Sequence, residues 1–240
     1  FVPQNTDFQD EYDKYVKITD LLIVNGTGII TKRDELTTDF DRNILYKRVQ
    51  DFSKMEEHEA RERFNLPPDV RDWRFDWAKA DLEKSGISID KVKQILYRPF
   101  DKRWVYYTGN SRGFIGWPVI QVMRHMLAGP NLGLITVRKV PPSMLCGYFM
   151  VAKNIISNGV IRSDNQSIDS LYPLYLYPDT ETSTLKIEKR DWPAGKGGRI
   201  PNLSKKIISA FESMLGIAFV PDGKGNITEK PPHPDPLLKG

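Results

Sequence analysis

Between Lys91 and Arg162 the chain carries 11 Lys/Arg and a single acid, Asp101, a net of +10 over 72 residues. No other feature of the 240 residues constrains the folded molecule as strongly. Like charges raise the potential of the surface they share, so such a block repels itself unless something anionic lies over it. Phosphate is the usual counterpart. A competing partner sits in the same chain. Residues 1–90 hold 14 Lys/Arg against 20 Asp/Glu, a net of −6, and residues 163–240 hold ten of each, so the overall +4 conceals the segregation. Charge leaves two readings open: a face for a polyanion, or a solvated basic face paired with the acidic first third.

Hydrophobic residues make up 40% and charged residues 28%, which suits a globular chain and excludes wholesale disorder. The length suits one large domain or two small ones with a real core. No stretch approaches the roughly 18 apolar residues of a membrane helix. The opening Phe1-Val2-Pro3-Gln4-Asn5 has neither a charged leader nor a hydrophobic run and lacks a Met, so the expectation is a piece of something longer, without a signal peptide. The one cysteine, Cys146 in PPSMLCGYF, excludes a disulfide framework and a Cys-rich zinc site. It reads as a small core residue in a reducing, cytoplasmic setting.

Asn25-Gly26-Thr27-Gly28 marks a tight turn before a short β-branched strand at Ile29–Thr31. Residues 39–64 repeat apolar side chains at helical spacing until Pro67-Pro68. Asp76–Lys84 and Ser88–Leu96 are predicted helices, the second with Ser88 as N-cap. From Tyr97 the texture turns to strands: Arg103–Tyr107, Leu132–Val137, Tyr148–Ile156, Leu171–Tyr177 and Thr184–Glu188. Pro173 favours an edge position for the fourth. Trp117–Leu127 reads as a helix with Pro118 in its first turn, and Asn202 as the cap of a final amphipathic helix bearing Leu203, Ile207, Ile208, Phe211 and Leu215. The fold class is therefore a mixed α+β, an acidic helical segment followed by a mixed-sheet part. Its expected divisions are 1–38, 39–96, 97–220 and a loose Pro-rich tail at 221–240.

Catalytic signatures are missing: no GxxxxGK[ST] loop, no GxGxxG after a strand and no GxSxG elbow. His58, His125 and His233 lack partners at metal spacing. Cations interleaved with rings and turn glycines stand out instead. Gly28–Asp34 could bring backbone amides, Thr31, Lys32 and Arg33 to a phosphate, or form a turn in which Asp34 pairs Arg33. Tyr97–Trp104 sets Arg98, Lys102 and Arg103 among four large rings. An Arg forks to guanine and a Lys meets phosphate as a point charge; alternatively Asp101 bridges Arg98 and Arg103 with the rings in the core. Asn110–Gly113 puts Arg112 in a flexible loop, followed by Trp117, Arg124 and His125, which either face a groove or cover a core helix. Arg138 and Lys139 form a smaller loop site.

These strings resemble a known family. YRPFDKRW at Tyr97–Trp104, HML at His125–Leu127, FVPQN followed by TGIITKRDEL at Thr27–Leu36, and YPLYLYPD at Tyr172–Asp179 occur in order over about Phe1–Leu215. The pattern is similar to the C-terminal target recognition domain of single-polypeptide Type I-like, or Type ISP, restriction–modification enzymes. The resemblance implies a parent that joins a nuclease, a helicase-like motor and an adenine-N6 DNA methyltransferase to this domain. It implies S-adenosylmethionine, Mg2+ and ATP for those neighbours and no cofactor for this chain. Two departures are an absent Asn-Pro-Pro-aromatic motif and a Pro-rich tail where further strands and helices are expected, consistent with a truncated fragment.

The resulting expectation is a non-catalytic specificity module that binds double-stranded DNA and a methyltransferase domain, of the same polypeptide or a separate subunit. The eleven central cations would share one concave flank. Lys32, Lys102 and Lys139 would hold the backbone, with Arg33 as a further phosphate donor beside Lys32; Arg98, Arg103, Arg112, Arg124 and Arg138 would meet phosphates or base edges; Trp117 would be buried in the core, or would wedge or stack. The alternatives are a nuclease or methyltransferase site built from scattered carboxylates of residues 1–90, and a scaffold that docks its acidic helix on a partner protein.

Overall fold

The computed structural model describes residues 6–137, 149–161, 164, 167–178 and 198–221. In chain order the elements are α1 (Gln9–Tyr12), α2 (Ile18–Leu21), β1 (Gly26–Thr27), α3 (Asp34–Thr37), β2 (Thr38–Asp39), α4 (Arg42–Lys54), α5 (Glu57–Arg63) and α6 (Phe75–Ser85). Then come β3 (Val92–Arg98), β4 (Asp101–Tyr106), α7 (Ile120–Leu127), β5 (Gly133–Val137), β6 (Phe149–Ala152), β7 (Ile155–Ile156), β8 (Asp169–Pro173), β9 (Tyr175–Leu176), β10 (Ile200–Pro201) and α8 (Lys205–Leu215). The fold is mixed α+β, as the patterning indicates. One antiparallel sheet has the order β1-β8-β5-β6, a second has the order β2-β4-β3-β7, and β9 and β10 form a short pair.

The helical layer forms because α4 has one apolar stripe and firm ends. The Asp41 carboxylate accepts from the backbone amides of Asn43 (2.7 Å) and Ile44 (3.0 Å), an N-cap of the usual kind. At the other end Lys79 donates to the carbonyls of Ser53 (2.7 Å) and Met55 (2.8 Å), a cation on the orphan acceptors of a helix C-terminus. Leu45, Val49 and Phe52 between these ends are fully buried. The Phe52 ring meets Phe75 at 5.3 Å and Phe114 at 5.7 Å, and Phe114 meets Tyr106 of β4 at 5.5 Å, all edge-on. Each such pair adds about 0.5–1.5 kcal/mol beyond its area. This knot holds α4 and α6 to the second sheet and to the loop after it.

Residues 26–30 join the two sheets. β1 pairs with β8 in the first sheet. The Ile29 amide then donates to the Ile156 carbonyl (2.8 Å) and the Asn158 amide to the Ile29 carbonyl (2.8 Å). Ile155 and Ile156 in turn run parallel to Ile95 and Leu96 of β3 in the second sheet. Ile30 and Trp117 exchange backbone bonds at 3.0 and 2.9 Å. Five residues thus touch both sheets and the loop before α7. The approach is close enough that a Cβ on Gly28 would overlap the Ser157 carbonyl.

Several expectations need correction. Ser88 accepts from the Asp90 amide, but only a 3-10 turn at Ile89–Lys91 follows before β3. Tertiary pairing of Val92–Arg98 with β4 overrides local helix preference. Residues 39–64 divide at Met55 into α4 and α5. α7 begins at Ile120, so Pro118 precedes it. Pro173 is not on an edge strand: β8 lies between β1 and β5, and Pro173 is tolerated because β1 pairs only with Ser170 and Leu171. The cap of α8 is Ser204. Asn202 is buried instead, accepting from the Val24 amide (2.8 Å) and donating to the Val24 (2.7 Å) and Pro173 (2.8 Å) carbonyls. Of the apolar residues named for the last helix, Ile208 is the one that is buried. The boundaries drawn at residues 38/39 and 96/97 run through hydrogen-bonded structure, since β2 and β3 both pair with β4. Among the described residues no helix is long and apolar enough to cross a membrane.

Gly28→Ala is expected to lower unfolding free energy by about 2 kcal/mol or more, because backbone must move to admit the methyl. The midpoint of urea denaturation measures it.

Candidate nucleic-acid interface

Two solvent-facing clusters of cations and rings stand at either end of the turn at residues 31–34. The first is built on the loop from Tyr107 to Trp117, which one buried carboxylate organises. Asp81, in α6, accepts from the Thr108 hydroxyl, the Asn110 amide and the Phe114 backbone amide, each at 2.7 Å. A Cβ on Gly113 would collide with that carboxylate, so the loop can wrap it only with glycine there. Wrapped in this way, the loop holds Arg112 at φ +55 with its side chain exposed, its guanidinium 5.5 Å from the Trp77 ring. Arg74 approaches the same ring at 5.4 Å. Trp117, at the loop's end, is 47% exposed. Beside it Lys32 contacts Asp72 at 3.4 Å, and Asp72 also takes Arg71 at 2.9 Å. The Arg71 bond holds the Asp72 carboxyl below its ordinary range, while the Arg71 side chain itself is 90% exposed.

The second cluster is the β3–β4 hairpin. Asp101 pairs with Arg103 at 2.9 Å, and that guanidinium lies 3.9 Å from the Tyr97 ring and 4.5 Å from the Phe40 ring. The bond to Asp101 raises the pKa of Arg103 above its ordinary value. Tyr97 and Thr31 both donate their hydroxyls to Asp34. Burial, then the bond to Asp34, raises the Tyr97 phenol. Arg98 lies over Tyr97 at 4.3 Å and donates to the Tyr97 carbonyl at 2.7 Å. Lys102 is exposed, and Phe100, at the turn, is 95% exposed.

The structure thus distributes the sequence candidates unevenly. Arg112, Lys102, Trp117 and Lys32 are exposed, and Arg98 partly so. Asp101 bridges Arg103 but not Arg98, and Arg103 is stacked and paired at the hairpin base. Arg33 is turned into the fold. It is 8% exposed, donates to the Pro68 carbonyl at 2.8 Å and stacks on Trp73 at 4.5 Å, and Asp34 engages Thr31 and Tyr97 instead of pairing it. Burial lowers the Arg33 pKa. Arg124 is half-buried on α7, where burial also lowers its pKa. His125 is buried, its Nδ1 accepting from the Tyr177 amide at 3.0 Å, so this part of α7 covers core. Lys91 turns to the carbonyls of Ser85 and Gly86 at the end of α6. Of the central cations that are described, Lys91 and Arg124 are therefore engaged or half-buried and are not set with Lys102 and Arg112 at an open face. Arg138, Lys139, Cys146 and the expected strand at 184–188 lie outside the described residues.

Sequence reasoning missed Arg71, Arg74 and Trp77, which the acidic bias of the first third conceals. Each is flanked by an acid close in sequence, and only the fold brings Trp77 against Arg112. Among the described residues no group of three or more His, Cys, Asp and Glu is placed to hold a metal ion. Asp39, Asp69, Asp72 and Asp81 are engaged by Arg48, Arg61, Arg71 and the loop respectively.

Residues 20–230 match the family described as the Type ISP C-terminal specificity domain. The chain belongs to this family. Three solved structures are similar to this specificity domain. A DrdV–DNA complex matches at TM-score 0.53 and 16% identity, over 90% of this chain and 20% of that one. A nuclease-deletion mutant of the Type ISP restriction-modification enzyme LlaGI, in complex with a DNA substrate mimic, matches at 0.51 and 15%, over 87% and 19%. The ATP-dependent Type ISP enzyme LlaBIII bound to DNA matches at 0.55 and 14%, over 88% and 13%. At these identities the likeness is one of fold, and the specificity domain spans a fifth or less of those chains. No curated protein matches it.

Asp81→Ala is expected to leave three donors without their acceptor and to cost about 2–4 kcal/mol, more than Asp81→Asn, in chemical denaturation. Arg33→Ala is expected to lower the melting temperature by several degrees, since its buried guanidinium bonds the Pro67 and Pro68 carbonyls and covers Trp73.

Proposed function

We propose that this specificity domain reads the sequence of duplex DNA and positions it for catalytic domains of the same polypeptide or of a separate subunit. Those neighbours would be an adenine-N6 methyltransferase and a nuclease, and S-adenosylmethionine, Mg2+ and ATP would belong to them. The observation that carries this reading is the pair of clusters, in which Arg74 and Arg112 approach the Trp77 ring, Lys32 and Arg71 share Asp72 near the exposed Trp117, and Arg98 and Lys102 flank Phe100 in sequence. Long cations beside exposed rings suit a ligand that is anionic along its backbone and aromatic within. The similar structures named above are complexes with DNA or a DNA mimic, which supports the same ligand here.

The roles divide by reach and chemistry. Lys32 and Lys102 contact phosphate as point charges. Arg112 stands on a loop fixed by Asp81, so its planar fork arrives pre-oriented, the condition for bidentate recognition of a base edge. Arg71 and Arg74 extend the first cluster along the backbone.

Selection of duplexes from a randomised pool, followed by titration across salt, tests the reading. Affinity is expected to fall steeply as salt rises, with one sequence enriched. Lys102→Ala should weaken all duplexes alike and reduce the salt slope by about 1, whereas Arg112→Ala should lose ~1–3 kcal/mol of discrimination at one position. An affinity indifferent to salt, or a pool without enrichment, contradicts the proposal.

A further inference from the structure

The β3–β4 turn carries a residue that the fold does not need in its observed form. Arg98 pairs with Asp101 across the hairpin, leaving Pro99 and Phe100 as the loop. Pro is favoured at the second position of such a turn, and a left-handed third position normally takes Gly or Asn. Here the third position is Phe100, at φ +63. A bulky side chain in that region is a backbone outlier. The ring is 95% exposed, so burial does not compensate for the conformation. Strained residues held in this way mark sites where the strain serves something outside the fold.

The turn is also held firmly. Asp101 fixes Arg103, whose guanidinium lies against both Tyr97 and Phe40, and Tyr97 is tied to Asp34. The base of the hairpin is thus locked on two sides while its tip projects one ring. In sequence Arg98 and Lys102 flank the turn, Lys102 exposed and Arg98 partly so, while the carboxylate of Asp101 is engaged by Arg103 at the base. An apolar pocket on a protein partner would call for an apolar collar around the ring. Cations on the strands to either side of an exposed ring complement phosphates on either side of a base step.

We propose that Phe100 is a wedge: on binding, its ring enters the base stack at one step of the duplex while Arg98 and Lys102 hold the flanking phosphates. Insertion of an apolar side chain between bases, coupled to cation–phosphate contacts, is an established way to kink or open a duplex. The inference rests on the DNA-reading function proposed above, and reassigns to Phe100 the wedging role that the sequence suggests for Trp117. Trp117 is only half exposed, with its backbone tied both ways to Ile30.

The test uses the 240-residue chain and duplexes recovered by its own selection, with 2-aminopurine replacing each adenine in turn. This base brightens when it is unstacked. Wild type is expected to raise emission severalfold at one step. Phe100→Ala should lose the rise and bind roughly 5- to 150-fold more weakly, the range for loss of a base–aromatic stack. Phe100→Trp should retain both signals, and Lys102→Ala should weaken binding while keeping the rise. Thermal melting of Phe100→Ala should match wild type, which separates the effect from folding. A Phe100→Ala variant with wild-type affinity and emission overturns the wedge, whether the ring faces solvent or another protein, and leaves the recognition function standing. A wild-type chain that binds no duplex at low salt overturns the recognition function itself.

Discussion

Both clusters depend on the backbone exchange at residues 28–30. Ile29 bonds the Ile156–Asn158 segment, Ile30 bonds Trp117, and Gly28 donates to the Asp169 carbonyl at 3.1 Å. A β-strand alternates its bonding directions, so one extended segment can serve different partners on its two sides. Here that property joins two sheets whose strands come from distant parts of the chain, and it sets the turn at residues 31–34 between the loop cluster and the hairpin cluster. Lys32 leaves this turn at φ +68 toward Asp72, and Asp34 leaves it toward Tyr97. The relative placement of the two basic surfaces is therefore fixed by main-chain geometry, which surface charges do not control.

Within that frame, buried polar groups shape the loops. Asp81 lies in the helical segment but acts on residues 108–114, and Asn202 ties Pro173 to Val24, which lies 178 residues before Asn202 in sequence. Such groups are costly unless every bond is made, so they specify one arrangement of loop and strand. The acidic first third thereby contributes less by neutralising the basic block than by organising it. Its carboxylates bind backbone amides, hydroxyls and near neighbours, which leaves cations such as Lys102 and Arg112 at the surface.

Much of this organisation is legible in the sequence because it is periodic or local. The stripe of α4, its Asp41 cap, the hairpin strands and the family strings are short-range patterns. The helix expected at Ser88–Leu96 shows where local reading stops: its apolar spacing satisfies either period, and pairing with β4 decides. The cations divide in the same way. Sequence identifies Arg33 and Arg112 as equivalent basic residues next to glycines or turns, yet one covers Trp73 and the other reaches solvent. What separates them is the position of Pro67 and Pro68, whose carbonyls receive Arg33, and of Asp81, which holds the loop of Arg112. These are contacts at separations of about thirty residues, and a charge count cannot see them.

The same reasoning explains why stacking pairs occur at both clusters. An arginine over a ring is less hydrated than a lysine and loses less on partial burial, so Arg98, Arg103 and Arg112 can be oriented by Tyr97, Phe40 and Trp77 without losing charge. Orientation before binding reduces the side-chain entropy lost when a ligand arrives. Lysine gains little from a ring of this kind, and the exposed cation at the hairpin with no directional demand is Lys102. The contrast between ring-stacked arginines and an exposed lysine thus follows from the hydration and shape of their head groups, and under the DNA-reading function proposed above it would place selectivity on the guanidinium groups and general attraction on the ammonium groups.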